Sequence, residues 1–220
     1  MMSQPALQII IWPVRPHHTD AEIDADIADG LNLLLGADGL IGSWQGKKYE
    51  ERFTRVYLLL WSSLATSHTF FTSPAYTAFH KLIQPAMNGR TITWQQHALL
   101  SHSVISSRQN LDSILSSPAV EVAWTKVVEG GVAGYYERFN ETVVGVLGEE
   151  PGCDGFFISP LIENPQDQML LINWKSVDAH HEDFEKKPGF RACIDSLMDY
   201  YKEFVVPWHI VDLKPIGKSC

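Results

Sequence analysis

Basic charge is what this sequence is short of: 17 Lys and Arg stand against 26 Asp and Glu, a formal charge of -9 at pH 7. Nucleic-acid phosphates call for a basic surface. The densest cationic pair, Lys47-Lys48, shares its loop with Glu50 and Glu51, so no nucleic-acid partner is expected. Cysteine is scarce as well. Cys153, Cys193 and Cys220 are odd in number and widely spaced, the pattern of reduced thiols in a cytoplasmic protein and not of a disulfide framework. The N-terminal apolar run, Leu7 to Trp12, is too short for a membrane span and has no basic segment before it to mark a secretory signal. Lys218-Ser219-Cys220 lacks a prenylation pattern. There is no HExxH or paired-cysteine motif, and the neighbours in His17-His18 and His180-His181 point different ways on a regular helix, so no metal is expected. Gly130-Gly131-x-x-Gly134 has neither the P-loop Lys-Ser/Thr nor the dinucleotide-binding spacing. No cofactor is expected.

What is present is a repeat, the feature to look for first. Trp61-Ser62-Ser63-Leu64, followed by His68 and Phe71, returns 113 residues later as Trp174-Lys175-Ser176-Val177, followed by His181 and Phe184. Around this core, Trp12 pairs with Trp124, Gly36 with Gly148, Gly39 with Gly152, Gly42 with Gly155, Pro74 with Pro188 and Trp94 with Trp208, within one residue of the same spacing. The expected division is a first repeat at 1–105, a linker at 106–118 with a short helical turn near Leu111 to Leu115, and a second repeat at 119–220.

Each copy reads as β-α-β-β-α-β. In the first, Leu7 to Trp12 is a strand, and Thr19 to Glu22 is a capping box opening a helix striped by Ile23, Ile27, Leu31 and Leu34 and stopped at Gly36. Leu40 to Gln45 and Phe53 to Trp61 make a hairpin, a helical region broken at Pro74 follows and closes at Asn88-Gly89, and Thr91 to Leu100 is the last strand. The second copy repeats this: a strand from Val120, a helix through Tyr135, Phe139, Val143 and Leu147, the hairpin Phe156 to Leu161 and Met169 to Trp174, a helix striped from Phe190 to Tyr201, and a strand from Trp208. The third strands are apolar on both faces, which calls for cover on both. The expected fold is α+β: two ferredoxin-like repeats whose antiparallel sheets pack face to face as an intrachain α+β barrel.

The segment W-x-S-[L/V]-x-x-x-H-x-x-F, with the proline after it and this order of elements, resembles the dimeric α+β barrel superfamily. Its members include antibiotic biosynthesis monooxygenases, stress-responsive A/B barrel proteins and olivetolic acid cyclase. In the cyclase pattern a His stands where Tyr76 stands here and a Tyr where Phe70 stands; Phe190 and Asp183 take those places in the second copy. The resemblance implies a small apolar or aromatic ligand, and a chain that is either a monomer (its own pseudo-dimer) or a homodimer.

Candidate catalytic residues are Tyr76, a phenol able to donate to a developing oxyanion; His68 and His181, able to take a proton beside a carbonyl; and Asn173, an amide in the otherwise apolar run Met169 to Trp174 that needs a partner if buried. The plainer reading of the first three is packing at the edge of an apolar stripe. Trp61, Trp174, Phe70, His80, Phe190 and His209 are candidate substrate-binding residues, with a core role as the alternative. The expected function is a cofactor-independent enzyme of natural-product metabolism performing cyclisation, isomerisation or related proton transfer in an apolar pocket. Two alternatives stand beside it: a cofactorless monooxygenase acting on a phenolic or anthrone substrate, and a non-catalytic stress or ligand-binding barrel. Divergence between the copies predicts one working pocket.

Overall fold

The computed structural model describes residues 4–87, 89, 91–92, 94–100, 104–105 and 111–217. Asn88, much of the expected linker, Lys218-Ser219-Cys220 and the side chain of Trp94 lie outside the described residues. The chain divides into two compact units, one of residues 1–101 with 214–220 and one of residues 102–213. No described helix is long and apolar enough to cross a membrane.

The first unit runs β1 (Ala6–Pro13), α1 (Asp20–Leu35), β2 (Leu40–Lys48), β3 (Thr54–Trp61), α2 (Leu64–Phe71), α3 (Pro74–Met87) and β4 (Trp94–Leu99). Its antiparallel strands lie in the order β4-β1-β3-β2, the ferredoxin-like arrangement expected. Thr19 accepts from the Glu22 amide while the Glu22 carboxylate accepts from the Thr19 amide at 2.7 Å, so the capping box forms, and Gly36 closes α1. Helices α1 and α3 approach closely at Gly30, where a Cβ would come within 2.6 Å of Ile83. Trp12, Ile23, Ile27, Tyr57, Phe79 and Ile83 form the core beneath them.

The second unit contains β5 (Val104–Ile105), α4 (Leu111–Ile114), β6 (Ala119–Val127), α5 (Val132–Arg138), a π-helical turn at Phe139–Val143, α6 (Val144–Glu149), β7 (Cys153–Pro160) and β8 (Asp167–Trp174). A second π-helical turn (Ala179–Phe184), α7 (Pro188–Leu197), a 3-10 turn (Met198–Tyr200), β9 (Tyr201–Phe204) and β10 (Trp208–Pro215) follow. The strand order β10-β6-β8-β7 repeats that of the first unit, with β5 added at the β7 edge. The outer edge of β6 is shared: β10 pairs with its first half and β9 with its second. Tyr201 therefore begins a strand instead of ending the α7 stripe.

Strand pairing corrects the detail of the repeat. β1 and β3 superimpose on β6 and β8 at a constant spacing of 113, and both hairpins bulge at the same place, Leu40/Gly42 and Cys153/Gly155. The amides of Ser62 and Lys175 donate to the carbonyls of Gly39 and Gly152 at 2.7 and 2.9 Å, again 113 apart. On this register Trp12 corresponds to Thr125, not to Trp124, because Trp12 faces Arg55 whereas Trp124 faces Met169. Trp94 likewise does not correspond to Trp208: Trp94 lies opposite Ile11, but Trp208 lies opposite Val122, the counterpart of Ile9. Trp61 and Trp174 alone keep the pairing expected of the tryptophans. The spacing rises to 114 at Pro74 and Pro188 because the second π-turn inserts a residue. Phe70, against Trp61 at 5.8 Å, then matches Phe184, against Trp174 at 5.1 Å, so the expected contrast of Phe70 with Asp183 disappears.

Candidate functional site

Strand alternation sends Glu121, Ala123 and Thr125 of β6 and Leu170 and Ile172 of β8 to the helix side of the second sheet. There they line a cavity of about 110 Å³. Tyr135 of α5 and Leu147 of α6 cover it, and both π-turns contribute, the first through Phe139 and Val143 and the second through His180 and Phe184. Phe190, Cys193, Ile194 and Leu197 of α7 line it too, together with Glu203, Val205 and Pro207. Among the described residues π-turns occur only in this unit. An extra backbone residue re-aims the side chains that follow it, and such turns are frequent at functional sites.

Among the described residues, Glu121, Glu185 and Glu203 are the acidic groups that line the cavity, and no Lys or Arg lines it. Glu121 is buried, and burial pushes its carboxyl up to about 7 despite the opposing hydrogen bond from the Trp174 indole and the nearby His209. Trp174 Nε1 donates to Glu121 Oε2 at 2.7 Å, and the indole stacks on the His180 ring with centroids 4.9 Å apart. His180 Nε2 lies 3.4 Å from Glu121 and 3.6 Å from Glu185, while its Nδ1 shares a 2.9 Å hydrogen bond with His209 Nε2. His181 Nδ1 pairs with Glu185 at 3.1 Å. Burial raises the Cys193 thiol to about 11, so it is no nucleophile at neutral pH.

Among the described residues the group able to hold a metal is His180, His181 and His209, whose ligand atoms lie within 4.8 Å of one another. The π-turn brings the adjacent rings of His180 and His181 together, 4.8 Å between centroids, which a regular helix does not do. The His180 and His209 nitrogens that face each other are engaged in their own hydrogen bond.

Of the residues singled out in the sequence, Phe190 lines the cavity, and Trp174, His181 and His209 stand directly behind it. Asn173 faces the other side of β8, where its Oδ1 meets the Ser117 hydroxyl. Tyr76, His68, Trp61, Phe70 and His80 belong to the first unit. Tyr76 is packed among Phe71, Phe79 and His80, His68 is exposed, and His80 meets Gln84 at 3.2 Å.

Glu121, His180 and Glu185 are the functional candidates that sequence reading passed over. The signal was there: a polar residue interrupts the first strand of each copy 113 residues apart, Gln8 between Leu7 and Ile9, and Glu121 between Val120 and Val122. The first unit holds a neutral version of the same arrangement. Trp61 Nε1 donates to Gln8 at 2.7 Å, Gln8 lies opposite His97 as Glu121 lies opposite His209, and Ser67 bonds His97 at 2.9 Å where His180 bonds His209.

The antibiotic biosynthesis monooxygenase family model matches residues 118–196, the segment that supplies most of the cavity. No curated protein matches the sequence. Among solved structures, an anthrone oxidase-like protein superimposes with a TM-score of 0.69 at 10% identity, covering 99% of this chain and 95% of that one. A putative monooxygenase of Fusobacterium nucleatum gives 0.67 at 14% identity, covering 99% and 96%. Another, from Lactobacillus acidophilus, gives 0.60 at 11%, covering 95% and 94%. At these identities the likeness is one of fold. Residues 118–196 thus resemble an antibiotic biosynthesis monooxygenase domain, and the chain as a whole shares its fold, a duplicated ferredoxin-like arrangement, with these solved structures.

Proposed function

We propose that the second unit is a small-molecule monooxygenase-type active site in which Glu121 removes a proton from a neutral, weakly acidic aromatic substrate. The observation that carries this reading is the contrast between Glu121 and Gln8. The first unit satisfies the same buried indole N–H with a neutral amide, so packing does not require a charge there. A carboxyl in that position carries a desolvation cost and gains a proton affinity suited to general-base work near neutral pH.

The walls select the substrate. A void of ~150 Å³ accommodates benzene; a cavity of about 110 Å³ is smaller, so at most one ring enters it and any further rings lie outside. Carboxyl groups without a lining Lys or Arg disfavour carboxylate or phosphate substituents. Once deprotonated, an electron-rich phenolate or carbanion can itself reduce oxygen. For an activated methylene, two hydrogens leave the carbon, one oxygen atom stays as the carbonyl and the other leaves as water. Residues 118–196 match a monooxygenase family, which supports this oxidative reading over cyclisation or isomerisation by the same base.

The test is oxygen uptake by the purified protein with a panel of uncharged phenols, naphthols and anthrones, without added cofactor. Uptake that is lost in Glu121→Gln supports the reading. Stoichiometric product formation without oxygen consumption would return the site to proton-transfer chemistry alone.

A further inference from the structure

Beside the cavity stands a cluster that the proposed reaction does not use. Three imidazoles form a nearly equilateral triangle. Ring centroids are 4.8 Å apart for His180 and His181, 4.8 Å for His181 and His209, and 5.0 Å for His180 and His209. One ligand nitrogen from each lies within 4.8 Å of the other two. His180 and His209 are buried, while His181 is part-exposed and gives the cluster a path to solvent. The two histidines of the π-turn each present a second nitrogen to a carboxylate. His180 Nε2 is 3.4 Å from Glu121 and 3.6 Å from Glu185, and His181 Nδ1 is 3.1 Å from Glu185. Histidine ligands of a metal have this outer partner, which fixes the ring and leaves the other nitrogen for the ion.

From this geometry we infer that His180, His181 and His209 form a binding site for one divalent transition ion of the zinc class. The ligands are His180 Nδ1, His209 Nε2 and the His181 nitrogen turned away from Glu185. The inference does not depend on Glu121 acting as a base. His180 Nδ1 and His209 Nε2 already converge, 2.9 Å apart. A tetrahedral ion with bonds of about 2.0–2.1 Å holds its ligand nitrogens roughly 3.3 Å apart. The pair therefore opens slightly to admit the ion, and His181, the part-exposed ring, moves in. The ion takes the place of the proton that the two nitrogens share, and His180 carries its proton on Nε2, facing Glu121 and Glu185. Three neutral imidazoles without a thiolate suit Zn²⁺, Ni²⁺ or Cu²⁺ and not Mg²⁺ or Ca²⁺, and a fourth position remains for water. Bound there, the ion ties the second π-turn to β10 and pins His180 in the cavity wall. The first unit has only a two-histidine version. Ser67 stands in place of His180, and His68 and His97 lie 5.9 Å apart with their rings nearly perpendicular. One ion per chain is expected.

The test is equilibrium dialysis of the full chain, free of any affinity tag, against Zn²⁺, with bound metal counted by atomic emission. One ion should bind per chain, and the melting temperature should rise by several degrees as Zn²⁺ is added. Co²⁺ in its place should give the visible absorption of a tetrahedral nitrogen site. His181→Ala and His209→Gln should each weaken Zn²⁺ binding by more than roughly a hundredfold and abolish the melting shift. Glu185→Gln, which removes an outer partner and no ligand, should weaken it roughly tenfold to a hundredfold. His181 is part-exposed, so its variant tests the site even where replacing buried His209 disturbs folding. The surface pair His17 and His18 is the control: His17→Ala combined with His18→Ala should leave binding unchanged. A folded chain that binds no Zn²⁺, binding unaltered in His181→Ala, or binding lost in the control instead would each overturn the site.

Discussion

The indole of Trp174 holds the carboxyl of Glu121 at 2.7 Å deep in the second unit, at the spot where, 113 residues earlier, Trp61 holds Gln8 at the same 2.7 Å. One hydrogen bond thus serves two purposes. In the first unit it closes a neutral core; in the second it steadies a titrating acid on a cavity wall.

Substituting Glu121 by Gln imports the first unit's solution into the second. The fold should be kept, since Trp174 still finds an acceptor, and oxygen uptake should fall by roughly 10²–10⁴, the range a general base contributes. Circular dichroism and an oxygen electrode check both halves of this expectation.

Stability should depend on pH in an unusual direction for a carboxyl. The Glu121 midpoint is about 7 in the folded chain against 4.5 as reference. The folded state therefore holds a proton that the unfolded chain has already released between those values. This contribution is complete below pH 4.5 and is lost as pH rises through 7, amounting to about 3 kcal/mol. Urea midpoints at pH 5 and pH 8 measure it, and Glu121→Gln should flatten the difference.

Trp174→Phe removes the N–H that favours the ionised carboxyl. The Glu121 midpoint should rise above 7, and the acid limb of the activity profile should move to higher pH with it. Loss of a hydrogen bond to a charged group should also cost about 2 kcal/mol of stability at alkaline pH.

Filling the cavity separates binding from packing. Ile194 lines the cavity and is only part-buried, so Ile194→Trp can occupy the space with little overpacking of the core. Ligand-induced shifts in melting temperature with simple phenols should disappear while the unliganded protein melts as before.

Tyr76→Phe and His68→Ala test whether the first unit takes part in the chemistry. Tyr76 is enclosed by Phe71, Phe79 and His80, and His68 is exposed. Neither lines the cavity that contains Glu121, so oxygen uptake should stay within twofold of the unmodified chain.

Much of the fold was legible because it is local or periodic. The Thr19–Glu22 capping box, the stop at Gly36, the hairpins and the break at Pro74 each follow from neighbours within a few residues. The site was less legible because residue identity between the copies points to shared packing. His68 and His181 are identical and lie nearer the surface, whereas the position before them differs, Ser67 against His180, and is buried. The candidate site sits where the copies diverge.

By itself the sequence determined the duplicated β-α-β-β-α-β order, since alternation, helical stripes and caps act over short stretches of chain. Tertiary structure alone decided that Glu121 should be buried beneath an indole, that a π-turn should turn His180 toward it, and that Trp61 and Trp174 should be the one tryptophan pair in register. The physical reason is that burial, proton affinity and strand register arise from groups far apart in the chain, here 53 residues between Glu121 and Trp174, which no local pattern encodes.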